Sequence, residues 1–287
     1  MSPTTKGACL VLLSAISFGL MPIFIVFAYQ SGIDTNTLLL LRFLFSSIFF
    51  FSYAAKKHGG IRISKKALFS FFILGAICYT FQSRFYFSSL RYISPALATL
   101  FLYTYPALVT GLSLLLNKEP LTLRVVFSII LSLTGILLIV GTSLGGIHII
   151  GILYASGASF VYALYIVYSS RSIKNIPTMI ASGFIALFSA LGTLVVGSLS
   201  GGFNFNFSII GWLPISGLAL VSTVIAMTSF LKGMSYLGPT KTSIISLMEA
   251  VFTVLFSVIF LKDYLTFSQL IGGVAVLLGA YIIVQQK

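Results

Sequence analysis

The chain has 287 residues, 58% of them hydrophobic and only 7% charged. A soluble domain is about a quarter charged, so this composition excludes a water-soluble globular protein and indicates an integral membrane protein. A net charge of +13 would suit a nucleic-acid ligand, but no basic stripe with interleaved aromatics lies outside the apolar runs, which excludes that class.

Ten apolar runs follow one another, at about 7–29, 35–54, 67–88, 95–116, 122–141, 147–169, 178–198, 208–231, 239–261 and 267–284. Each is long enough to cross a ~30 Å hydrocarbon core as a helix rising ~1.5 Å per residue. The expected fold class is therefore all-α, with ten transmembrane helices joined by short loops and no residues left for a soluble domain. The first run is not expected to be a cleaved signal peptide. Only Lys6 precedes it as a charge, and no clean small-residue cleavage site ends it.

In chain order, the first run carries Cys9 and Pro22. A proline inside a helix removes a backbone donor and kinks it, and a kink can act as a hinge. The second carries Arg42 in LLLLRFLFSSIFF, about a third of the way in from its first end. It either snorkels to the interface or turns inward. The third, with YTFQSRFYFSSL, carries Gln82 and Arg84 beside Tyr79 and Tyr86. Gln82 and Tyr86 are four apart and share a face; facing inward, the guanidinium would take a carboxylate. The fourth holds Tyr103, Tyr105 and Pro106, and the sixth Tyr162, Tyr165 and Tyr168. A phenol in the middle of a span wants a hydrogen-bond partner, so Tyr105 and Tyr162 are candidates to line an interior cavity; Tyr168, near an end, suits the interfacial belt. Pro214 lies near the start of the eighth run. Ser128, Ser132 and Gly135 in the fifth, with Gly272, Ala275 and Gly279 in the tenth, form small-residue stripes for close helix contact.

The ninth run contains SLMEAVFTVLFS, where Glu249 is one of only four acidic residues in the chain. About ten residues into the helix it is ~15 Å deep, near the midplane. At that depth a carboxylate needs a partner or a proton. It therefore either lines the solute path, pairing with a cationic group or taking up a proton, or anchors the fold. Arg42 is at a similar depth and is a possible partner.

Basic residues are distributed unevenly. With the N-terminus in the cytoplasm and ten crossings, thirteen Lys and Arg fall on the cytoplasmic side and only Arg91 and Lys262 on the other. This positive-inside bias places both termini in the cytoplasm, with attraction to anionic lipid as a further consequence. Cys9 and Cys78 lie inside apolar runs without metal-ligand spacing and read as small apolar filler.

Sliding the chain along itself by 144 residues lays Tyr92–Val140 on Tyr236–Val284 without a gap, with ten identities in 49 positions. KEPLT (Lys118–Thr122) falls on KDYLT (Lys262–Thr266), Pro95 on Pro239, Gly135 on Gly279 and Tyr105 on Glu249. The expected organisation is one membrane domain made of two five-helix repeats, 1–143 and 144–287, with the seam near Ser143–Gly146. Five is odd, so the second repeat enters the membrane from the opposite side. Inverted repeats of this type serve alternating access around a midplane site.

YISPALATL with NKEPLT and Gly135, YLGPTKTSI with LKDYLT and Gly279, Arg42 opening the second helix, and SLMEAVFTVLFS together resemble the EamA-type branch of the drug/metabolite transporter superfamily. Ala250 stands where that family's "L-E-P-x-F" segment commonly has proline. The resemblance covers nearly the whole chain. It implies transport of a small metabolite, often an amino acid or related compound and often outward. The chemistry and depth of the residues themselves make Glu249, Tyr105, Tyr162, Arg84, Gln82 and Arg42 the candidate substrate-binding residues. No P-loop is present, so a secondary carrier is expected, with protons as a possible coupling ion and no cofactor or metal. A membrane-embedded enzyme has little to work with: the two histidines, His58 and His148, lie in loops on opposite sides. A lipid or lipid-linked sugar translocase is the alternative, and a non-transporting receptor or assembly subunit a weaker one.

Overall fold

The structure is a computed structural model that describes residues 2–58, 63–89, 91–93, 95–141, 148–173, 176–262 and 264–285. Among the described residues every regular element is helical. The expected seam at Ser143–Gly146 lies outside them. The ten spans are α1 (Pro3–Gly19 and Met21–Gln30), α2 (Thr35–His58), α3 (Lys65–Ser89), α4 (Pro95–Leu102 and Tyr105–Asn117), α5 (Leu123–Val140), α6 (Ile149–Ser172) and α7 (Thr178–Leu199), followed by α8, α9 and α10 (Phe267–Val284). A continuous helical run, Ile209–Ser246, is divided at Gly238 (φ 76°, ψ 168°). That residue separates α8 (209–237) from α9, which starts at Pro239, breaks at Leu247 and resumes as Met248–Leu261. The α8–α9 connection is thus a single residue, where the hydropathy pattern suggests a longer loop.

The repeated motif has a physical reading at both sites. Lys118 and Lys262, which the 144-residue shift superposes, are the two non-glycine residues with positive φ among the described residues, at 56° and 58°. Each caps the C-terminus of its helix in the left-handed conformation. Thr122 and Thr266 then cap the next helix, their side chains accepting from the backbone N–H groups of Val125 and Gln269.

Helix pairing follows the same exchange. The principal packed pairs are α1 with α8, α3 with α6, α2 with α7 and α5 with α10. Swapping the halves turns this set into itself. Glycines bring the partners close. A Cβ on Gly135 would stand 2.6 Å from the Gly272 carbonyl oxygen, and one on Gly272 would stand 2.5 Å from that of Gly135. The tenth-helix stripe at this seam runs through Gly272, Val276 and Gly279, which are buried, whereas Ala275 is half-buried.

Three of the described spans widen into π turns; Ser257–Leu261 ends α9, and the other two lie at corresponding places, Ile73–Tyr79 in α3 and Leu220–Ile225 in α8. A π turn leaves carbonyls short of their helical donors, and hydroxyls take them. Thr80 donates to Gly75 O (3.2 Å) and Thr223 to Leu218 O (2.9 Å). From the neighbouring helices, Ser189 of α7 donates to Gly75 O (3.4 Å) and Ser46 of α2 to Ala219 O (3.0 Å). Pro214, in contrast, sits in an unbroken helical segment, Trp212–Ala219.

Packing is uneven along the spans. At the end where α8 joins α9, burial is nearly continuous from Pro239 to Met248, whereas no residue from Val251 to Leu261 is buried. The same holds in α1, with seven buried residues in Pro3–Gly19 but only Ile23 and Ala28 in Met21–Gln30. In α1 and α9 the denser packing is towards the end bearing Lys65, Arg171 and Lys232.

Candidate functional site

Three helices break at mid-length: α1 at Leu20, α4 at Tyr103–Thr104 and α9 at Leu247. Pro22 and Pro106 open the segments that follow the first two breaks. The α9 break forms with Ala250 in place of a proline. Tyr105 and Glu249, superposed by the repeat, each stand in the first turn of the segment after a break. The α4 break is held by Thr104, whose hydroxyl donates to Phe101 O (2.7 Å) and meets Ser159 Oγ of α6 at 3.0 Å. The Tyr105 hydroxyl donates to Ser243 O of α9 (3.3 Å), joining the two broken helices.

Rings form an arc between Arg42 and Glu249, which the sequence left as possible partners. Phe43 meets Tyr79 edge-on (centroids 5.3 Å), Tyr79 meets Tyr165 (5.6 Å), Tyr165 stacks with Tyr162 (6.0 Å) and Tyr162 meets Tyr105 (4.7 Å). At one end the Arg42 guanidinium lies 5.1 Å from the Phe43 ring centre. At the other is Glu249, whose carboxylate lies in the electrostatic range of Tyr86, Tyr103, Tyr105 and Tyr162. Glu249, Tyr103 and Tyr162 are deep in the bundle yet only half-buried. Among the described residues Glu249 makes no hydrogen bond or ion pair, and the Tyr103 and Tyr162 hydroxyls make no hydrogen bond.

Arg42 is buried (5% exposed) and turned inward rather than snorkelling. It donates from Nε to Thr223 Oγ1 (2.7 Å), from one terminal nitrogen to Ser222 O (3.1 Å) and from the other towards Met21 Sδ (3.1 Å). The α8 π turn is what offers it Ser222 O. A guanidinium has five N–H donors, so two are left. Arg42 and Glu249 interact across space, but no ion pair joins them. Arg84 is elsewhere: it donates to Ser200 Oγ (3.1 Å) at the end of α7. Gln82 accepts from Ser83 (3.4 Å), and of this α3 cluster it is Tyr86, bonded to Thr99 (2.8 Å), that reaches the Glu249 group. Tyr103, Ser243 and the Ser222–Thr223 pair belong to the group although their positions in the sequence do not single them out; the hydroxyl-rich stretches VSTVIAMTS and TKTSIIS were the available signal.

The EamA-like transporter family profile matches the chain twice, over residues 5–141 and 149–285. The chain belongs to the EamA-like transporter family. Relatives extend along this EamA chain. The uncharacterized transporter YcbK of Bacillus subtilis is 24% identical, over 93% of this chain and 88% of its own. The uncharacterized inner membrane transporter YicL of Salmonella typhimurium is 25% identical, over 99% and 96%. The aromatic amino acid exporter YddG of Ancylobacter novellus is 31% identical over 38% of this chain and 40% of its own. One crystal structure superposes with a TM-score of 0.82, covering 100% of this chain and 99% of that one at 21% identity, which shows the fold. This is a multi-pass membrane transporter of the EamA family.

Proposed function

We propose that this EamA protein is a secondary carrier that moves an amino acid or related small metabolite outward across the cytoplasmic membrane, with both termini in the cytoplasm. The observation that carries this reading is Glu249: a half-buried carboxylate among tyrosines, with no hydrogen-bonding partner among the described residues. An aromatic wall around an unpaired carboxylate suits an ammonium group. Arg42, with two N–H donors left, suits the solute's carboxylate. Tyr105 and Tyr162 supply a flat apolar wall for its side chain, and the resemblance to a stretch of an aromatic amino acid exporter favours a ring there. Arg84 and Gln82 would act earlier on the path, at the rim. Two inverted units, 1–143 and 144–287, would rock about this site to expose it to each side in turn. Protons are the candidate coupling ion, with Glu249 the group to carry one.

The test is uptake of a panel of amino acids, amines and carboxylic acids into proteoliposomes, with and without a pH gradient. A solute that needs both its amine and its carboxylate, and that is lost with Glu249→Gln, supports the site. Uptake unchanged in rate and pH dependence by Glu249→Gln would leave Glu249 as scaffold. Transport of lipid-linked substrates alone would replace the small-solute reading.

A further inference from the structure

The acidic loop after α4, NKEPLT, takes no part in the central site. It lies at the basic end, where α1 and α9 are densely packed, and there it crosses from one half of the chain to the other. Lys118 turns left-handed, and the Glu119 N–H donates back to Ser113 O (3.2 Å), which aims the loop across the helix end. The Glu119 carboxylate then accepts from the Thr240 hydroxyl at 2.5 Å, in the first turn of α9. Its other oxygen stands 2.9 Å from where a Cβ on Gly238 would be. Gly238, the single residue joining α8 to α9, is therefore glycine for two reasons: its φ of 76° and the carboxylate against it. Lys241 lies within electrostatic range of the same carboxylate. Beside it, Arg171 at the end of α6 donates to Asn117 Oδ1 (2.7 Å) and to Leu116 O, the last turn of α4.

These contacts tie the ends of α4, α6 and α9 together directly beneath the densely buried zone. They border a polar cavity of about 660 Å³ lined by Asn117, Glu119, Arg171, Ser235 and Gly238 among others. Glu119 is half-buried, so its bond to Thr240 is made at the edge of water, where a charged contact is exchangeable rather than permanent.

We propose that Glu119 is a gate latch: it holds the basic end of the carrier shut by clasping the Gly238–Thr240 turn, and it must let go for the central site to open to that side. Glu119 is a positioning residue; it does not touch the solute site. The device uses the part of the acidic motif that belongs to the first half and grips the second half, so it senses the relative position of the two.

The experiment replaces the two native cysteines and places a reporter at Met234, which is 2% exposed and lines the cavity. Labelling of Met234→Cys by a membrane-impermeant maleimide, applied to the basic face in vesicles, reads how often that end opens. Glu119→Gln is expected to raise the labelling rate several-fold, and Thr240→Val, which keeps the carboxylate, to do the same. The double variant should label no faster than the faster single one, because both act on one contact, Glu119→Gln taking away its charge and Thr240→Val its donor. Parental labelling rates in both single variants, or effects that multiply in the double, would overturn the latch. If Glu119→Gln fails to fold, the Thr240→Val result decides alone. No solute is needed, so this result stands apart from the test of the solute site.

Discussion

Glu249 is the residue on which the solute reading turns. Glu249→Gln keeps the shape and removes the charge; a hydrogen bond to a charged group contributes about 1.5–3 kcal/mol, so solute affinity should fall roughly 10- to 100-fold. The check is transport kinetics with the protein amount and melting temperature held equal. Tyr162→Phe keeps the ring that stacks on Tyr165 and should change little, whereas Tyr162→Ala removes an aromatic contact of about 0.5–1.5 kcal/mol and should weaken affinity by a few-fold for ring-bearing solutes. Equal losses in both variants would assign the effect to the hydroxyl instead. Outside the membrane, Asp34 caps α2. Burial works to raise its pKa, but the hydrogen bonds from the Thr37 hydroxyl and from backbone N–H groups at Thr37, Asn204 and Asn36 outweigh it, and the carboxyl is held below its ordinary value. A depressed pKa contributes stability that is present above the unfolded value of about 3.9 and lost as the pH falls through the lower folded value. Asp34→Ala should thus cost about 1 kcal/mol in detergent at neutral pH, as capping losses do, and the gap from the parent protein should close below about pH 4.

At the scale of elements, the α5–α10 seam and the α2–α8 junction are the most constrained. A Cβ on Gly279 would collide with the Ser132 hydroxyl and stand 3.0 Å from Ser128 O. Gly279→Val must therefore separate the two helices, at a cost of about 1–3 kcal/mol, visible as a lower melting temperature with little change in solute affinity. At the other junction, Thr223 does two jobs, donating to Leu218 O and accepting from Arg42. Thr223→Val should lower stability and release Arg42 together, so both melting temperature and affinity for carboxylate-bearing solutes should drop. A change in only one would uncouple the π turn from the site. The α3 π turn also shifts helical register. Helical spacing rotates about 100° per residue, and a π turn inserts one residue, so every side chain after Ile73–Tyr79 is displaced by one step around α3. Gln82 and Arg84 follow directly, and the structure turns Arg84 to Ser200 rather than to Glu249.

Across the whole molecule, the helix pairing is unchanged when the halves are exchanged and Lys118 and Lys262 share the left-handed conformation; antiparallel duplication is the proposal that these features support. With the proposed five crossings per half, the α9–α10 loop would lie on the face opposite the α2–α3 loop. Tyr264→Cys, at a residue 93% exposed, should label only from outside intact cells, and Ser64→Cys only after permeabilisation. Labelling of both from one side would end the inverted arrangement.

Hydropathy, capping residues and charge bias are local free energies, and the chain displays them in order: ten spans, a repeated cap motif, a basic side and one acidic residue out of place at Glu249. They carry no information on how one helix is rotated against another. The tertiary structure decided that Arg42 meets Ser222 and Thr223, some 180 residues away in sequence, that Tyr103 joins Glu249 while Arg84 does not, and that α9 breaks without a proline. Those outcomes depend on how glycine contacts, π turns and the hydroxyls of neighbouring helices fit one another, and that fit exists only once two helices have been brought together.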